Sequence, residues 1–566
     1  MRFMKLLPLL IPTALFLSQL MTQQISAQFQ PDLVVRNANV ITIDEEIPRA
    51  TAFAVHQGKF IMIGSDADLA ELADSAVLVI DAEGKTIVPG FNDAHLHPGE
   101  IYPEEHILGT VDIGPGAVKT IDELVAKLKN KAAIIPEGNW IVGGRYEDTK
   151  LGRHPTRYDL DNVSTTHPVS IRHSSGHVAV YNSYALELAG IDTSTPDPDG
   201  GSFDRDADGV PNGVARESAS GMVSRAGPKR PEPSLADRIS AMDRCLHNYL
   251  SRGVTSIGDA GASPNKLKLF RQVQKAGNPI RISLMIRDSY LDELKAAGIQ
   301  QGFGDEHLRI SAIKVFHGNS LSGRTCWLNQ PYEIVNPETG EKDYYGIPPK
   351  RSQEELNQLI ADIHNAGFQA AVHSNGDREI PMVLEAFEQA MQQNPRPDPR
   401  HRIEHCSVVN EGILQKLKAL GVMVAPHSYI YEHGDKMEEY GFWRWNNMHA
   451  NRSFLDRGIP VAQTSDSPVS ASDPLLRILS MVTRTSAEGK VYGSEQRVTV
   501  QEAIRTWTLG GAYATFEEGI KGSITNGKLA DFVILSDNPE AVDPLTIKDI
   551  AIEAVYIDGK PVYQGS

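Results

Sequence analysis

The stretch Val88-Pro89-Gly90-Phe91-Asn92-Asp93-Ala94-His95-Leu96-His97 decides the fold prediction for this chain. Residues 86–88 are typical of a strand and Pro89-Gly90 of a turn, and the chain then continues in a second extended segment. Side chains alternate between the two faces of a strand, so His95 and His97 point the same way and could hold one metal ion between them. A pair of histidines at a polar strand end is the alternative for this motif by itself. The rest of the chain decides between the two.

The composition indicates a folded globular protein with an acidic surface. Hydrophobic residues make up 41% of the 566 residues and charged residues 22%, which argues against wholesale disorder. The 72 acidic residues outnumber the 55 basic ones and give a formal net charge of −17. This balance argues against nucleic acid or an anionic membrane as the partner. The three cysteines are scattered and form neither a disulfide framework nor a Cys-x-x-Cys metal pair.

Residues 1–27 have the pattern of a signal peptide. Arg2 and Lys5 give a positive start, residues 6–20 form a short apolar run, and Ser26-Ala27 offers a small-residue cleavage site. The apolar run is short and contains Pro8 and Pro12, so a signal peptide is favoured over a membrane-spanning helix. We therefore predict export to the periplasm or the extracellular space, with no stable membrane span in the mature chain.

The two ends of the chain share a β-rich pattern. Three runs near the N-terminus alternate apolar and polar side chains between turn signals: residues 33–43, 52–63 and 77–88. Two strand-like runs lie near the C-terminus, residues 531–535 and 551–557. Asp558-Gly559 then provides a hairpin turn signal. We predict one small β-sandwich domain built from both termini, residues 28–88 together with residues 520–566.

Between these ends, residues 235–510 alternate between strand-like and helical patterns, which favours parallel βα units. The candidate strands after the first are residues 254–257, 281–286, 310–316, 369–373, 402–405, 422–426 and 461–464. Amphipathic helices are predicted between them, for example at residues 352–366, 380–393 and 411–420. The strand with the His-x-His pair brings the total to eight, the number that closes a TIM (β/α)8 barrel. We predict this α/β barrel for residues 89–519, with a large insertion after its first strand at about residues 110–230.

In such a barrel the reactive side chains come from the C-terminal ends of several strands. Metal-ligand residue types stand at these ends of the predicted strands: His95, His97, Lys314, His373, His405 and Asp466. Lys314 lies in an otherwise apolar strand, where a buried ammonium is costly unless it is paired or neutralised. Each residue alone is compatible with capping or with a buried polar contact. Their occurrence at four strand ends besides the His-x-His pair indicates a metal-binding catalytic site.

Several further motifs surround these residues: Ser320-Leu-Ser-Gly-Arg-Thr-Cys-Trp-Leu328, Ala371-Val-His373-Ser-Asn-Gly-Asp377-Arg378, His401-Arg-Ile-Glu-His405, Thr464-Ser-Asp466-Ser-Pro468 and Gly522-Ser-Ile-Thr-Asn-Gly-Lys-Leu-Ala-Asp531. With the opening stretch, they resemble the metal-dependent amidohydrolase superfamily, and within it amidohydrolase family 3, the branch that includes the N-substituted formamide deformylases. The resemblance runs from about residue 32 to the end of the chain. The chain departs from the branch at His317-Gly318, where relatives often carry Asp-Gly, a change expected to alter the pocket wall or the contacts behind the ligands.

The resemblance implies a site for one or two divalent ions, most often zinc. His95, His97 and Asp466 would hold the first ion, and His373 and His405 the second. Lys314 would bridge the two after reacting with carbon dioxide to form a carbamate, which turns a costly buried cation into an anion between two dications. An unmodified Lys314 would repel a second ion and leave a mononuclear site, and the sequence leaves both forms open.

The reaction implied is hydrolysis of a carbon–nitrogen bond in a small-molecule amide or N-formyl or N-acyl amine. Bound ions would lower the pKa of water towards neutrality and polarise the substrate carbonyl. Asp466 would accept the proton of the water and pass it to the leaving nitrogen.

Substrate contacts are expected from loops and from the insertion. In relatives, the region of Arg172-His173-Ser-Ser-Gly-His177 approaches the metal site, so His177 and His173 are the candidate substrate-binding residues. Aromatic and histidine side chains near later strand ends are candidates for an apolar pocket or for ordinary packing: Trp327, His427, Tyr429, Trp443 and Trp445.

Three other functions remain as alternatives. A mononuclear deaminase of the same fold would not need the bridging Lys314. A non-catalytic periplasmic binding or regulatory protein would be favoured by a missing ligand, and each expected ligand is present. A non-hydrolytic enzyme such as an isomerase is the third. The sequence identifies neither the substrate nor the native metal. It is compatible with a homo-oligomer.

Overall fold

The computed structural model describes residues 30–335 and 339–565. The predicted signal peptide, residues 1–27, lies outside this part of the chain. No helix within the described ranges combines the length and the apolar character that a membrane span needs.

The strands and helices are numbered here in chain order. The strands are β1 (Leu33–Arg36), β2 (Asn39–Ile41), β3 (Arg49–Ala50), β4 (Ala52–His56), β5 (Lys59–Gly64), β6 (Leu78–Asp81), β7 (Thr86–Pro89), β8 (Phe91–Leu96), β9 (Val111–Asp112), β10 (Ile141–Tyr146), β11 (Val169–His173), β12 (Val178–Tyr181), β13 (Gly201–Arg205), β14 (Pro211–Glu217), β15 (Val254–Ala262), β16 (Arg281–Arg287), β17 (Leu308–Phe316), β18 (Gln369–Ser374), β19 (Arg402–His405), β20 (Met423–Ala425), β21 (Phe532–Leu535), β22 (Ile552–Ile557) and β23 (Lys560–Gln564). The α-helices are α1 (Ala70–Ser75), α2 (Ile121–Ala132), α3 (Asp148–Leu151), α4 (Arg157–Asp161), α5 (Ser183–Ala189), α6 (Ser218–Ala226), α7 (Leu235–Leu250), α8 (Pro264–Lys275), α9 (Leu291–Ala296), α10 (Gln353–Asn365), α11 (Ile380–Gln393), α12 (Glu411–Leu420), α13 (Ile430–His433), α14 (Asn451–Asp456), α15 (Pro474–Thr483), α16 (Val500–Trp507) and α17 (Leu509–Ala514). Short 3-10 helices span Asp288–Tyr290, Gly434–Tyr440, Phe442–Asn447, Ser494–Gln496 and Pro544–Asp549.

The centre of the molecule is a seven-stranded sheet with the order β8-β15-β16-β17-β18-β19-β20. All neighbouring strands pair in parallel, as when Lys314 lies beside Ala371 and His373 beside Glu404. The C-terminal ends of these strands therefore meet at the same end of the sheet. The sheet itself is nearly closed into a barrel. This arrangement confirms the predicted TIM-like barrel.

The predicted eighth strand closes the gap between β20 and β8 without forming a regular strand. It makes an isolated parallel bridge between Val424 and Val461. Further along, the amide of Ala94 donates to the carbonyl of Gln463 over 3.4 Å, and the amide of Asp466 donates to the carbonyl of His95 over 3.0 Å. Residues 461–466 thus lie beside both edge strands and carry Asp466 to the end of β8.

Amphipathic helices pack on the outside of the barrel. Helix α10 begins at a capping box in which Ser352 and Glu355 satisfy each other's backbone amides, and α12 is capped by Asn410. Their apolar faces bury residues such as Ile360 and Leu417 completely. Burial of each such side chain contributes about 1.5–3 kcal/mol and holds the helices against the sheet.

Strands from both termini share one sheet, with the order β3-β2-β7-β21-β22-β23. A four-stranded sheet with the order β5-β4-β1-β6 packs against it, and the rings of Phe53 and Phe532 lie 5.0 Å apart between the two sheets. Strand β7 continues through Gly90 into β8, so this pair of sheets anchors the first barrel strand. A Cβ atom at Gly90 would lie 2.2 Å from Oγ1 of Thr255, which explains why the turn needs glycine.

The chain between β8 and β15 forms a separate six-stranded sheet with the order β13-β14-β12-β11-β10-β9. Its apolar core includes Ile141, Ile171 and Val180, all fully buried. The turn from β11 to β12 carries His177, and Glu217 lies at the end of β14. These two residues extend from the insertion towards the metal-ligand side chains of the barrel.

Candidate metal centre

His95, His97 and Asp466 converge at the C-terminal end of β8. Nε2 of His95 lies 3.4 Å from Oδ1 of Asp466, and Nε2 of His97 lies 3.3 Å from the same oxygen. This carboxylate oxygen is buried, and no group in the described chain makes a hydrogen bond to it. Two imidazole nitrogens and an unpartnered carboxylate oxygen in one place form a donor set that suits Zn²⁺ and related divalent ions.

The neighbouring histidine side chains keep Asp466 ionised. Burial opposes the charged form, but the neighbouring His405, His95 and His97 outweigh it and hold the pKa of Asp466 well below its usual range. Asp466 and His405 also have positive φ angles of 55° and 72°. Non-glycine residues in this conformation are uncommon and occur preferentially at functional sites, where the strain aims a side chain. At both strand ends the backbone thus turns the ligand towards the centre.

A buried carboxylate behind His95 fixes the orientation of its ring. Nδ1 of His95 donates to Glu404, which also accepts from the guanidinium of Arg402. This leaves the lone pair of Nε2 on the side of Asp466, the carboxylate–histidine arrangement typical of metal sites. Burial opposes ionisation of Glu404, but Arg402 and His95 outweigh it and hold its pKa far below normal. Sequence reasoning missed Glu404, although the alternation of side chains along β19 places it on the same face as Arg402.

Lys314 lies beside the same cluster. It is fully buried, and its Nζ lies 3.5 Å from Nε2 of His95. The ring of Phe316 covers it, with Nζ 5.0 Å from the ring centre. Burial lowers the pKa of Lys314 to about 8, against the opposing pull of Glu404 and Asp466. The lysine therefore stands where the sequence predicts it, on the fourth strand of the barrel and next to the His-x-His pair.

His373 and His405 follow on the next two strands, with their rings 4.6 Å apart. Nε2 of His373 donates to the carbonyl of Asn319 over 3.0 Å, which leaves Nδ1 of His373 for another partner. Nδ1 of His405 lies 3.1 Å from Nδ1 of His427, which leaves Nε2 of His405. The ring of His405 also lies 4.9 Å from that of His95. The structure thus brings all six predicted ligand residues to one end of the barrel.

At this end of the barrel, two groups of ligand atoms lie close enough to hold an ion, each with its atoms within 4.8 Å of one another: His95 with His97 and Asp466, and His405 with His427 and Asp466. The first is the predicted first set. In the second, His427 takes the place predicted for His373. Burial lowers the pKa of His427 to about 3, so its ring is neutral at ordinary pH. The sequence analysis predicts for His427 only a place in an apolar pocket or in ordinary packing.

His177 extends from the insertion to the edge of the cluster. Its ring lies 6.0 Å from that of His373, and its Nδ1 donates to Oε2 of Glu217 over 2.7 Å. Burial lowers the pKa of His177, but Glu217 outweighs this effect and raises it above its ordinary value. Oε1 of Glu217 accepts from the hydroxyl of Thr325 over 2.7 Å, and Glu217 has a φ of 49°. The insertion thus holds an imidazole beside the predicted ligands through the half-buried carboxylate of Glu217, whose backbone has a positive φ.

His173 belongs to a different network. Its ring nitrogens contact Oγ of Ser175 over 2.9 Å and Oδ1 of Asp148 over 3.1 Å, and the residue is only 2% exposed. Lys436 lies 3.0 Å from Asp148, and Arg324 lies 2.6 Å from its other oxygen. A third group of potential ligands consists of Glu147, Asp148 and His173, but the cationic side chains of Lys436 and Arg324 already neutralise it. The network joins the insertion to the loops that follow β17 and β20.

His317, where the chain departs from the family pattern, is a buried wall residue. It is 2% exposed, and neither ring nitrogen has a hydrogen-bond partner within the described chain. Burial lowers its pKa to about 4, with a smaller contribution from Arg351, so the ring is neutral. An uncharged side chain therefore occupies the position where the resemblance leads us to expect an aspartate.

Comparison with known proteins agrees with this geometry. The model of the amidohydrolase family matches residues 78–563. The N-substituted formamide deformylase of Arthrobacter pascens is 28% identical over 549 residues, which cover 94% of this chain and 98% of that protein. The putative amidohydrolase YtcJ of Bacillus subtilis is 28% identical over 545 residues, 93% of this chain and 98% of that protein. A solved structure of an uncharacterized metal-dependent hydrolase from Pyrococcus horikoshii has a TM-score of 0.70 at 25% identity and covers 90% of this chain and 99% of its own.

The family match includes the strand with the His-x-His pair, the whole barrel and strands at both ends of the chain. The similarity to a metal-dependent hydrolase extends over nearly all of that protein, so the shared part is not an isolated motif. The chain is accordingly a hydrolase that acts on carbon–nitrogen bonds other than peptide bonds, and it belongs to the amidohydrolase family.

Proposed function

We propose that the protein is an exported, metal-dependent amidohydrolase that cleaves an N-formyl or other N-acyl amine. The observation that carries the proposal is the convergence of His95 and His97 on the buried, unpartnered Oδ1 of Asp466. The name of the Arthrobacter relative supports the choice of an N-substituted formamide as the first substrate to examine. Small amides fit the family better than a macromolecular partner.

His95, His97 and Asp466 would hold the first ion. His405 would hold a second, with His373 through Nδ1 or with His427. A bound divalent ion supplies Lewis acidity, since it lowers the pKa of water and polarises a carbonyl group. Zinc fits this set of neutral imidazoles and one carboxylate.

Lys314 is proposed to bridge the two positions as a carbamate. A buried lysine 3.5 Å from His95 is an unfavourable neighbour for a dication as long as it keeps its positive charge. When the neutral amine attacks carbon dioxide and loses a proton, the nitrogen gains a carboxylate that carries a negative charge. The lowered pKa of Lys314, about 8, favours the neutral amine that this reaction needs.

Asp466 is proposed to move the proton. Its carboxylate is held ionised, so it can accept a proton from the attacking water. It then donates this proton to the leaving nitrogen when the carbon–nitrogen bond breaks. His177, held by Glu217 on the insertion and with its ring 6.0 Å from that of His373, is proposed to contact the substrate.

Export is part of the proposal and rests on the positively charged start and apolar run of residues 1–27. N-terminal sequencing of the protein from the periplasmic or extracellular fraction tests it, with a start at residue 28 as the expected result. A protein that keeps residues 1–27 and stays in the cytoplasm would contradict it.

Metal content tests the catalytic proposal directly. The full chain is purified without chelator, the metal ions per chain are counted, and intact mass is measured for an adduct of one carbon dioxide that Lys314→Ala abolishes. About two ions, the adduct, and hydrolysis in a screen of N-formyl and N-acyl amines are expected. One ion without an adduct would favour the mononuclear deaminase. A chain that binds no metal even after reconstitution with zinc would overturn the proposal.

A further inference from the structure

His427 follows β20, the seventh strand of the barrel, and has no role in the function proposed above beyond that of an alternative ligand. It is 4% exposed, and one of its ring nitrogens lies within 4.8 Å of ligand atoms of His405 and Asp466. Tyr429 packs against the ring from behind, with the ring centres 4.4 Å apart. The side chain is therefore held rigidly at the edge of the predicted metal centre.

The contact between His405 and His427 fixes which nitrogen of each ring carries the proton. Their Nδ1 atoms lie 3.1 Å apart, and a hydrogen bond at this distance needs one proton between the two nitrogens. In the proposed function, on which this inference rests, His405 would hold a metal ion through its other nitrogen, Nε2. A metal-bound imidazole keeps its proton on the far nitrogen, so Nδ1–H of His405 donates to Nδ1 of His427.

The proton of His427 must then be on its own Nε2. Within the described chain, this nitrogen has no hydrogen-bond partner. Both ring nitrogens of the neighbouring His449 are sealed from solvent and have no partner within the described chain. Nε2 of His427 is not sealed in this way. Because this nitrogen is not sealed from solvent, its proton is available to a bound molecule that can accept a hydrogen bond. The ring that carries this N–H group lies in the group of ligand atoms that includes Asp466, the carboxylate proposed to move the proton.

We propose that His427 is a catalytic residue whose Nε2–H donates a hydrogen bond to the carbonyl oxygen of the substrate, in the tautomer that His405 imposes. The carbonyl oxygen gains negative charge when water adds to the carbon, and a fixed donor stabilises that charge more than it stabilises the starting amide. A neutral imidazole fulfils this role without adding a positive charge next to the metal ions. His405 is the corresponding positioning residue, since it acts through His427.

Three substitutions separate this role from packing and from metal binding. In His427→Asn, the side-chain oxygen still accepts from His405, but the donor towards the substrate is lost. In His427→Gln, the longer amide can again donate towards the substrate. His427→Phe removes both functions. His449→Asn is the matched control, because its ring lies 5.8 Å from that of His427 and the described chain shows no side-chain contact between His449 and any of the six predicted ligands.

Each variant is measured as the metal-loaded full chain for metal ions per chain, for kcat and KM with the best N-acyl amine of the screen, and for the Kd of methylphosphonate, a tetrahedral anion. In His427→Asn and His427→Phe we expect full metal content, kcat lower by about 10²–10³-fold, and weaker methylphosphonate binding. His427→Gln is expected to recover part of both losses, and His449→Asn to match the wild type.

Two results would overturn the inference. If the kcat of His427→Asn equals that of the wild type, His427 does not act as a hydrogen-bond donor to the substrate. Loss of about one ion per chain in His427→Phe would show that the residue is a metal ligand instead. Both results differ from failure of the proposed function, in which the wild type itself would bind no metal or hydrolyse none of the amides.

Discussion

Substitution of Glu404 by glutamine tests the hydrogen bond between Glu404 and His95, a contact that the sequence analysis did not predict. Glu404 is fully buried and accepts from both His95 and Arg402. Glutamine has nearly the same shape, so Glu404→Gln removes the charge and one acceptor without opening a cavity. Two separate effects are expected, one on metal affinity and one on folding stability.

The effect on metal affinity comes from His95. Loss of the carboxylate frees the ring to turn and makes Nε2 a weaker ligand, and such outer contacts are worth about 10–100-fold in metal affinity. This corresponds to about 1.4–2.8 kcal/mol of binding free energy. The effect on stability comes from Arg402, which is 1% exposed and loses its carboxylate partner. An uncompensated buried charge costs about 3–5 kcal/mol in the free energy of unfolding.

A matched control separates the two effects. Glu517 is 2% exposed and pairs with Lys521 over 3.0 Å and with Arg309 over 3.3 Å. Arg309 lies five residues before Lys314 on β17. The ion pair between Glu517 and Arg309 is therefore about 16 Å away from the metal centre along the strand. Glu517→Gln therefore removes a buried carboxylate with two cationic partners and leaves the ligands in place.

Each variant is stripped of metal and refolded, and it then competes for zinc with a chromophoric chelator, which gives the zinc affinity. Unfolding by urea is measured on the same samples and gives the stability. Both variants are expected to lose stability, and only Glu404→Gln is expected to lose zinc affinity. A Glu404→Gln variant that binds zinc as tightly as Glu517→Gln would refute the reasoning that Glu404 orients His95 for a metal ion.

Three further predictions follow from the same site. Lys314→Met is expected to lower the metal content from about two ions to one and to lower kcat by about 10²-fold or more, since the bridging anion is gone; an unchanged metal content would argue against a bridging role. Glu217→Gln is expected to raise KM by about 10-fold with little change in metal content, because the imidazole on the insertion loses its charged partner; a change in metal content alone would contradict its assignment to the substrate side. The metal-free protein is expected to lose stability as the pH falls from about 7 to about 5. The buried His401 and His427 have pKa values of about 3 in the fold against 6.5 in the unfolded chain, so the unfolded state binds more protons below pH 6.5. Buried carboxylates with lowered pKa values, such as Glu404, weaken the fold only at lower pH, so a melting temperature that does not change in this range would contradict the histidine pKa directions.

Sequence patterns predicted the barrel because its strands follow local rules. Runs of buried β-branched and small residues gave seven of the parallel strands, and β19 (Arg402–His405) and α11 (Ile380–Gln393) have the predicted bounds. The eighth strand was predicted as regular but makes only a single bridge at Val461. Its pairing depends on two edge strands from opposite ends of the barrel, and no local pattern of residues 461–464 carries that information.

The residue types at the predicted strand ends were also enough to predict the ligands, although these residues lie far apart in the sequence. Because parallel strands end together, a histidine or aspartate at each strand end places all of them at one end of the barrel. The roles of Glu404, His427 and Glu217 could not be predicted in this way. Each acts through a side-chain contact across the fold, as in the Glu404–His95 hydrogen bond between residues 309 positions apart.

The sequence by itself therefore determined the family, the barrel, and the set of residues that could bind a metal ion, because residue types and their periodicity fix strands and the side chains at their ends. Only the tertiary structure decided which nitrogen of each histidine is free, since this depends on the partner of the other nitrogen. Glu404 leaves Nε2 of His95 facing Asp466, and His427 leaves Nε2 of His405 free. The direction of these hydrogen bonds is a property of distant residues in contact, and it turns a set of histidines into a site that can bind a metal ion and orient a substrate.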